Sequence, residues 1–294
     1  MRKIHNKKEN HRVKYAACVT LYNPDMGVVD NIKTYANGVE RIYVIDNSEE
    51  QQCDVENDIK QIENVQYYKM NGNKGVSFAL NLALKCAIKD GYDYLLTMDQ
   101  DTRFYPGQIN RFIDKINQYI VSGNYKRVGI FAADTSSQDN KHNKNDELVS
   151  LVLTSGNFIN TKIINDIGGF DDRLFIDWID QDICYRLKKV GYKIILFREI
   201  GIKHNLGERQ KVKMGCVCFE ITVHNVVRYY YMTRNKFYVL KKNHISIIKK
   251  TRFYLGTIAS IVRIIAFEKD KVSKVSAIVY GYIDYLHDNI EGKP

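Results

Sequence analysis

Leu95-Leu96-Thr97-Met98-Asp99-Gln100-Asp101 (LLTMDQD) runs from apolar residues straight into two carboxylates one residue apart. The apolar half, Tyr94 to Met98, reads as a strand buried on both faces. Two carboxylates in the loop that ends such a strand repel one another unless solvent or a cation compensates them. A hard divalent cation bridging a diphosphate is the natural partner.

Working outward toward the N-terminus, Tyr15 to Tyr22 (YAACVTLY), Arg41 to Ile45 (RIYVI) and Val65 to Met70 (VQYYKM) are short β-branched or aromatic runs, each a predicted strand. Helical periodicity fills Met26 to Tyr35 and Val76 to Ala87, the second after the loop Asn71-Gly72-Asn73-Lys74-Gly75. On the other side, Pro106 to Val121 is a predicted helix with its proline near the first turn, and Val128 to Ala133 a further strand. This grammar predicts an α/β fold with a mostly parallel sheet, in which ligands bind beyond the carboxyl ends of the strands.

Three predicted strands end there in polar residues: Thr20-Leu21-Tyr22-Asn23-Pro24, Asp46-Asn47-Ser48 and Asp99-Gln100-Asp101. Asp and Asn also start turns and cap helices, and for Asn23-Pro24 or Asp46-Asn47 alone that suffices. After residue 140 the pattern changes. A polar loop, SSQDNKHNKND, leads to Leu148 to Thr154, Ser155-Gly156-Asn157, a helix around Thr161 to Ile167, and Gly168-Gly169-Phe170-Asp171-Asp172.

The chain has 294 residues, 45% of them hydrophobic, enough for one large domain with an appendage. Its six cysteines are scattered singly apart from Cys216-Val217-Cys218, and the basic start MRKIHNKKENHRVK has no apolar stretch. A reducing, cytoplasmic location is expected. Cys216 and Cys218 lack companions at zinc-site spacing, since His204 and His224 complete no recognised pattern, so they read as structural.

The net charge of +10 sits in one segment: Val226 to Tyr280 holds twelve Lys/Arg against two Asp/Glu, leaving 32 of each sign elsewhere. Its apolar runs, such as Tyr254 to Val262, are broken by Arg252 and Arg263 short of a membrane span, which leaves a helix packed on the domain or lying on an anionic membrane surface. A nucleic-acid-binding module would use such a basic, tyrosine-rich surface but would give the carboxylates no role, so no nucleic-acid partner is expected. A nucleotidyltransferase would explain the carboxylates, but the chain has no basic glycine-rich phosphate loop near its N-terminus.

In order along the chain, Thr20-Leu21-Tyr22-Asn23, Val44-Ile45-Asp46-Asn47-Ser48, Asn71-Gly72-Asn73-Lys74-Gly75 leading to Asn81, and Met98-Asp99-Gln100-Asp101 resemble the nucleotide-binding elements and Asp-x-Asp motif of family-two glycosyltransferases with the GT-A fold. The resemblance implies a nucleotide-sugar site built from Thr20, Tyr22, Asn23, Asp46, Asn47, Asn73, Gly75, Asn81, Asp99 and Gln100. Asp46 would accept the imide N–H of uracil or thymine. Mg²⁺ or Mn²⁺ would be held by Asp101, His204 and, on one reading, Asp99.

Phe175-Ile176-Asp177-Trp178-Ile179-Asp180-Gln181-Asp182, ahead of Tyr185-Arg186-Leu187, is similar to the family's acceptor-side segment, where the second acid of a pair is the catalytic base. Here Ile179 replaces the first acid, which leaves Asp180 as the base and Asp177 and Asp182 as second candidates; all three also suit the N-terminus of a helix running to Val190. Ser155, Gly156, Asn157 and Trp178 would face the acceptor.

The combination looks most like bacterial rhamnosyltransferases, which implies inverting transfer from dTDP-L-rhamnose to a lipid-linked surface polysaccharide, with a UDP-sugar as the alternative donor. The expected organisation is a basic tail over 1–13, a catalytic domain over 14–225 with a nucleotide half (14–135) and an acceptor half (136–225), and a basic helical extension over 226–294. An oligomer stays open.

Overall fold

The computed structural model describes residues 12–50, 53–135, 146–204, 209–214 and 217–290. Most of the N-terminal tail, nearly all of the polar loop after Thr135, and Cys216 lie outside the described residues.

The chain alternates as read, with one further helix, α2: β1 (Tyr15–Leu21), α1 (Gly27–Ala36), β2 (Arg41–Asp46), α2 (Cys53–Lys60), β3 (Val65–Lys69), α3 (Val76–Lys89) and β4 (Tyr94–Asp99). There follow β5 (Thr102–Phe104), α4 (Gln108–Val121), β6 (Val128–Asp134), β7 (Glu147–Val149), β8 (Asn157–Asn160), α5 (Thr161–Asp166), α6 (Ile179–Lys189) and β9 (Lys193–His204). A hairpin, β10 (Arg209–Met214) and β11 (Val217–Thr222), precedes three helices, α7 (Val226–Lys242), α8 (Ile247–Phe267) and α9 (Lys271–Leu286).

Nine strands form the main sheet in the order β3-β2-β1-β4-β8-β6-β9-β5, with β7 also on β9. β1, β2, β3, β4, β6 and β9 run one way, and β5, β7 and β8 run the other. Alternate residues of each strand feed opposite faces, so Ala17, Val19 and Leu21 of β1 pack under α1 and α4 with Ile32, Phe112 and Ile116, while Ala16 and Cys18 pack under α3, α5 and α6 with Leu80, Ile164 and Leu187. Each such Leu or Ile contributes about 1.5–3 kcal/mol on burial.

One element departs from the sequence reading. Asn157, expected beside the acceptor, instead opens β8, an antiparallel strand wedged between β4 and β6. β9 is long because it breaks register: Ala133 pairs with Phe197, but Asp134 pairs with Gly201. The extra residues form a bulge that re-aims the strand toward β5, where Thr102 faces His204. Glu199 in the bulge is gripped from α4 by Arg111 and Lys115. That detour carries His204 to the carboxyl end of β4.

Candidate active site

β1, β2 and β4 end side by side, with Thr20 opposite Asp99 and Leu21 opposite Asp46. At this rim a ligand atom from each of Asp99, Asp101 and His204 lies within 4.8 Å of the other two. Hydroxyls brace the corner. Ser155 Oγ accepts the Asp99 N–H at 2.9 Å and lies 2.9 Å from Thr102 Oγ1, which is 2.8 Å from His204 Nδ1. A tautomer with Nδ1–H donating to Thr102 leaves the His204 Nε2 lone pair for a cation. Burial pushes the Asp99 carboxyl up to about 6, against the pull of His204 and with the push of Asp101. A cation at this corner would relieve that cost. Among the described residues this is the cluster of metal donors.

Asp180 lies in the first turn of α6, and its carboxyl is also pushed up to about 6. Burial is the main cause, opposed by N–H groups of the helix turn and reinforced by the charges of Asp177 and Asp99. A carboxylate poised near working pH, close enough to the cation corner for Asp99 to act on it, can take a proton there.

The other two acids are occupied. Asp177 is held by the Arg228 fork at 3.0 Å. Asp182 is fully buried and accepts from Arg186 Nε at 2.8 Å, Lys242 Nζ at 3.0 Å and Asn243 Nδ2 at 3.0 Å. Its expected place as a second candidate base is therefore corrected: it anchors α7 to α6 and has no free access to the rim.

The nucleotide side divides in the same way. Tyr22 is 43% exposed at the rim. Its backbone is clamped by Gln100, whose Oε1 accepts the Tyr22 N–H at 2.8 Å and whose Nε2 donates to the Tyr22 carbonyl at 3.2 Å. Asn23 (φ 45°) turns the chain there and donates its N–H to Ser48 Oγ at 2.8 Å. A cleft of about 370 Å³ opens beside it, lined by Asn23, Asn31, Asp101, Arg103 and Lys203 among others.

Asp46 is 2% exposed, and its oxygens already accept from Ser48 N–H at 2.9 Å and Tyr67 Oη at 2.7 Å. A nucleobase reaching Asp46 would be left its remaining lone pairs. Buried Asn47 donates to the Gly75 carbonyl at 3.1 Å, and Asn73 Oδ1 accepts the Gly75 N–H at 3.0 Å, so both shape the 71–75 loop.

Asn81, expected in the nucleotide site, is partly buried and bonded to the 168–172 loop. Its amide donates to the Phe170 carbonyl at 2.8 Å and its oxygen accepts the Phe170 N–H at 2.8 Å, which ties α3 to the 168–172 loop. Ser155, Gly156 and Asn157 are corrected from acceptor contacts to buried braces. A Cβ on Gly156 would stand 2.4 Å from Ile202 Cδ1. Trp178 stays near the rim, partly buried at the start of α6 and edge-on to Phe253 of α8, with ring centroids 5.4 Å apart.

Arg228, Arg234 and Asn235 do not figure in the reading of the sequence, which treats Arg228 to Asn235 only as the start of a basic helix. Arg234 is 1% exposed and donates to the Arg173 carbonyl at 3.0 Å, while Asn235 Nδ2 reaches the Ile176 carbonyl at 2.7 Å. Together they hold the loop in which Asp177 (φ 62°) and Trp178 (φ 67°) are consecutive left-handed residues. The usable signal was the Arg-Asn pair inside an otherwise aromatic helix.

Comparison with known proteins gives the same reading. Residues 27–167 match the model of glycosyl transferase family 2. The chain is 25% identical over 287 residues to the dTDP-rhamnosyl transferase RfbF of Shigella flexneri, covering 92% of this chain and 94% of that protein. The fold is similar to that of S. aureus TarS 1-349 in complex with UDP-GlcNAc (TM-score 0.53, 13% identity, 94% of this chain and 73% of that one). It is also similar to GalNAc-T7 with UDP, GalNAc and Mn²⁺ (TM-score 0.52, 11% identity, 67% of this chain and 44% of that one). The chain is a glycosyltransferase that resembles rhamnosyltransferases, with a stretch over 27–167 that matches family 2 and a GT-A-like fold.

Proposed function

We propose that this glycosyltransferase moves L-rhamnose from dTDP-L-rhamnose to a hydroxyl of a saccharide carried on a membrane lipid diphosphate, with inversion at the anomeric carbon. The observation that supports the chemistry is the proximity of a raised carboxyl, Asp180, to the Asp99–Asp101–His204 corner on one rim of the sheet. The L-rhamnose donor is supported by the likeness to the Shigella flexneri protein.

Two carboxylates and an imidazole suit Mg²⁺ or Mn²⁺. Bound there, the ion would supply Lewis-acid stabilisation of the leaving diphosphate. Asp180 takes the acceptor proton as the hydroxyl oxygen attacks from the face opposite the diphosphate. Tyr22, with its ring at the rim, packs against the base, while Thr20, Asn23 and Asn73 line the nucleotide and Trp178 lines the acceptor. The work is placed at the inner face of the cell membrane, where such an acceptor lies.

The test is nucleotide release by the purified protein from dTDP-L-rhamnose and from a panel of UDP-sugars, with Mg²⁺ or Mn²⁺ and with a chelator. Release from dTDP-L-rhamnose, lost on chelation, is expected. Turnover of a UDP-sugar with dTDP-L-rhamnose inert would overturn the donor, and full activity in the chelator would overturn the cation.

A further inference from the structure

We infer that the outward face of α8, continued by α9, docks on an anionic phospholipid bilayer and sets the catalytic rim beside it. α8 has 21 residues, of which Ile264 alone is buried. Every exposed residue from Tyr254 to Ala266 is uncharged. Over about 18 Å of helix the outward side is therefore apolar, with Leu255 61%, Ile258 57% and Val262 60% exposed.

The charge that interrupts this stretch in the sequence is turned inward. Arg263 donates to the Thr222 carbonyl at 2.6 Å and to Tyr229 Oη at 2.9 Å, and pairs with buried Glu268 at 3.3 Å. α9 repeats the arrangement. Lys274 is buried against Glu268 at 3.0 Å, while Val272, Val279 and Ile283 are exposed. No helix among the described residues is long and apolar enough to cross a membrane, so this face can lie on a bilayer without spanning it.

The rim selects the occupant. Lys249, Lys250 and Arg252 mark one end of the apolar stretch, and Lys269 and Lys271, with Asp270 between them, mark the other. Basic ends around an apolar stripe complement anionic headgroups over acyl chains. A second copy of the same face would bring like charges together. On its inner side α8 meets Trp178 through Phe253, so a bilayer under α8 lies next to the turn that carries Asp180. This builds on the membrane-side acceptor proposed above but does not depend on the donor.

The experiment is co-sedimentation of the full chain with vesicles of phosphatidylcholine alone or with phosphatidylglycerol added, at low and high salt. Binding only to the anionic vesicles is expected, and the double variant Leu255→Asp/Val262→Asp should lose at least about tenfold in partitioning. The triple variant Lys249→Ala/Lys250→Ala/Arg252→Ala, which leaves the apolar face intact, should lose the preference for anionic lipid. Nucleotide release to a soluble acceptor should be unchanged in both, which reads the transferase separately from the surface. Failure of the natural sequence to sediment with anionic vesicles, or equal binding by the double variant, would overturn the proposal. So would a dimer in sedimentation equilibrium that the double variant dissociates without any vesicle binding.

Discussion

Asp180 combines two opposed properties in one carboxyl: burial makes its charge costly, and the proposed proton transfer needs that charge. With the carboxyl pushed up to about 6, it is mostly ionised at neutral pH, and log kcat/KM should fall by about one per pH unit as pH drops below 6. Asp180→Asn is expected to lower transfer by about 10²–10⁴-fold while leaving nucleotide affinity within a factor of about two, checked by steady-state kinetics and calorimetry. The same shift has a stability side. A folded-state value raised above the unfolded value of 3.8 means that the neutral form favours folding, an advantage present below about pH 4 and lost as pH rises through 6. Asp180→Asn should therefore be more stable than the natural sequence at pH 7 by about 1–3 kcal/mol, with the gap closing near pH 4 in denaturant melts. Asp180 was legible as a candidate from its place after Trp178-Ile179. That Asp182 is no rival was not, because its partners Lys242 and Asn243 lie some sixty residues away.

At the scale of elements, the start of α3 and the anchor of α7 decide how well the site is held. Gly75 has φ 89°, and a Cβ there would lie 2.8 Å from the Phe175 carbonyl oxygen, which accepts the Val76 N–H. Gly75→Ala meets both strain and backbone overlap, and should cost about 2 kcal/mol or more in urea unfolding. Asp182→Ala would leave Arg186 Nε and Asn243 Nδ2 without their buried acceptor, with Lys242 keeping only Asp171, and a loss of about 3 kcal/mol is expected in the same measurement. Gly75 could be singled out from its loop because it stands where an Asn-Gly-rich turn meets a helix. The close pass of Phe175 could not, since it depends on how the 170–177 segment returns over the sheet.

At the scale of the molecule, the helices after Thr222 belong to the site as well as to a surface. Tyr229, Tyr230 and Tyr231 pack with Phe175 and Ile176, Arg228 neutralises Asp177, and Asn235 holds the turn before Asp180. A chain ending at Thr222 is expected to expose Phe175, Ile176 and Asp177 and to lose both monodisperse sedimentation and nucleotide release, even though every residue of the Asp99–Asp101–His204 corner is retained. Charge counting placed the basic excess in this segment. It did not show that Arg228, Arg234 and Arg263 turn inward, which changes a uniformly basic helix region into an apolar face with basic ends.

Short-range periodicity and residue type were enough for the alternation of strands and helices, the carboxyl ends where Tyr22, Asn23, Asp99 and Asp101 gather, and the candidacy of Asp180. Those follow from residue type and spacing within ten or so positions. Long-range packing settled the rest. The β9 bulge brings His204 to Asp101, β8 enters the sheet antiparallel and turns Ser155, Gly156 and Asn157 into braces, and α7 consumes Asp177 and Asp182. Each of these rests on pairing between segments far apart in the chain, where a register or a buried partner selects among side chains that the local sequence leaves equivalent.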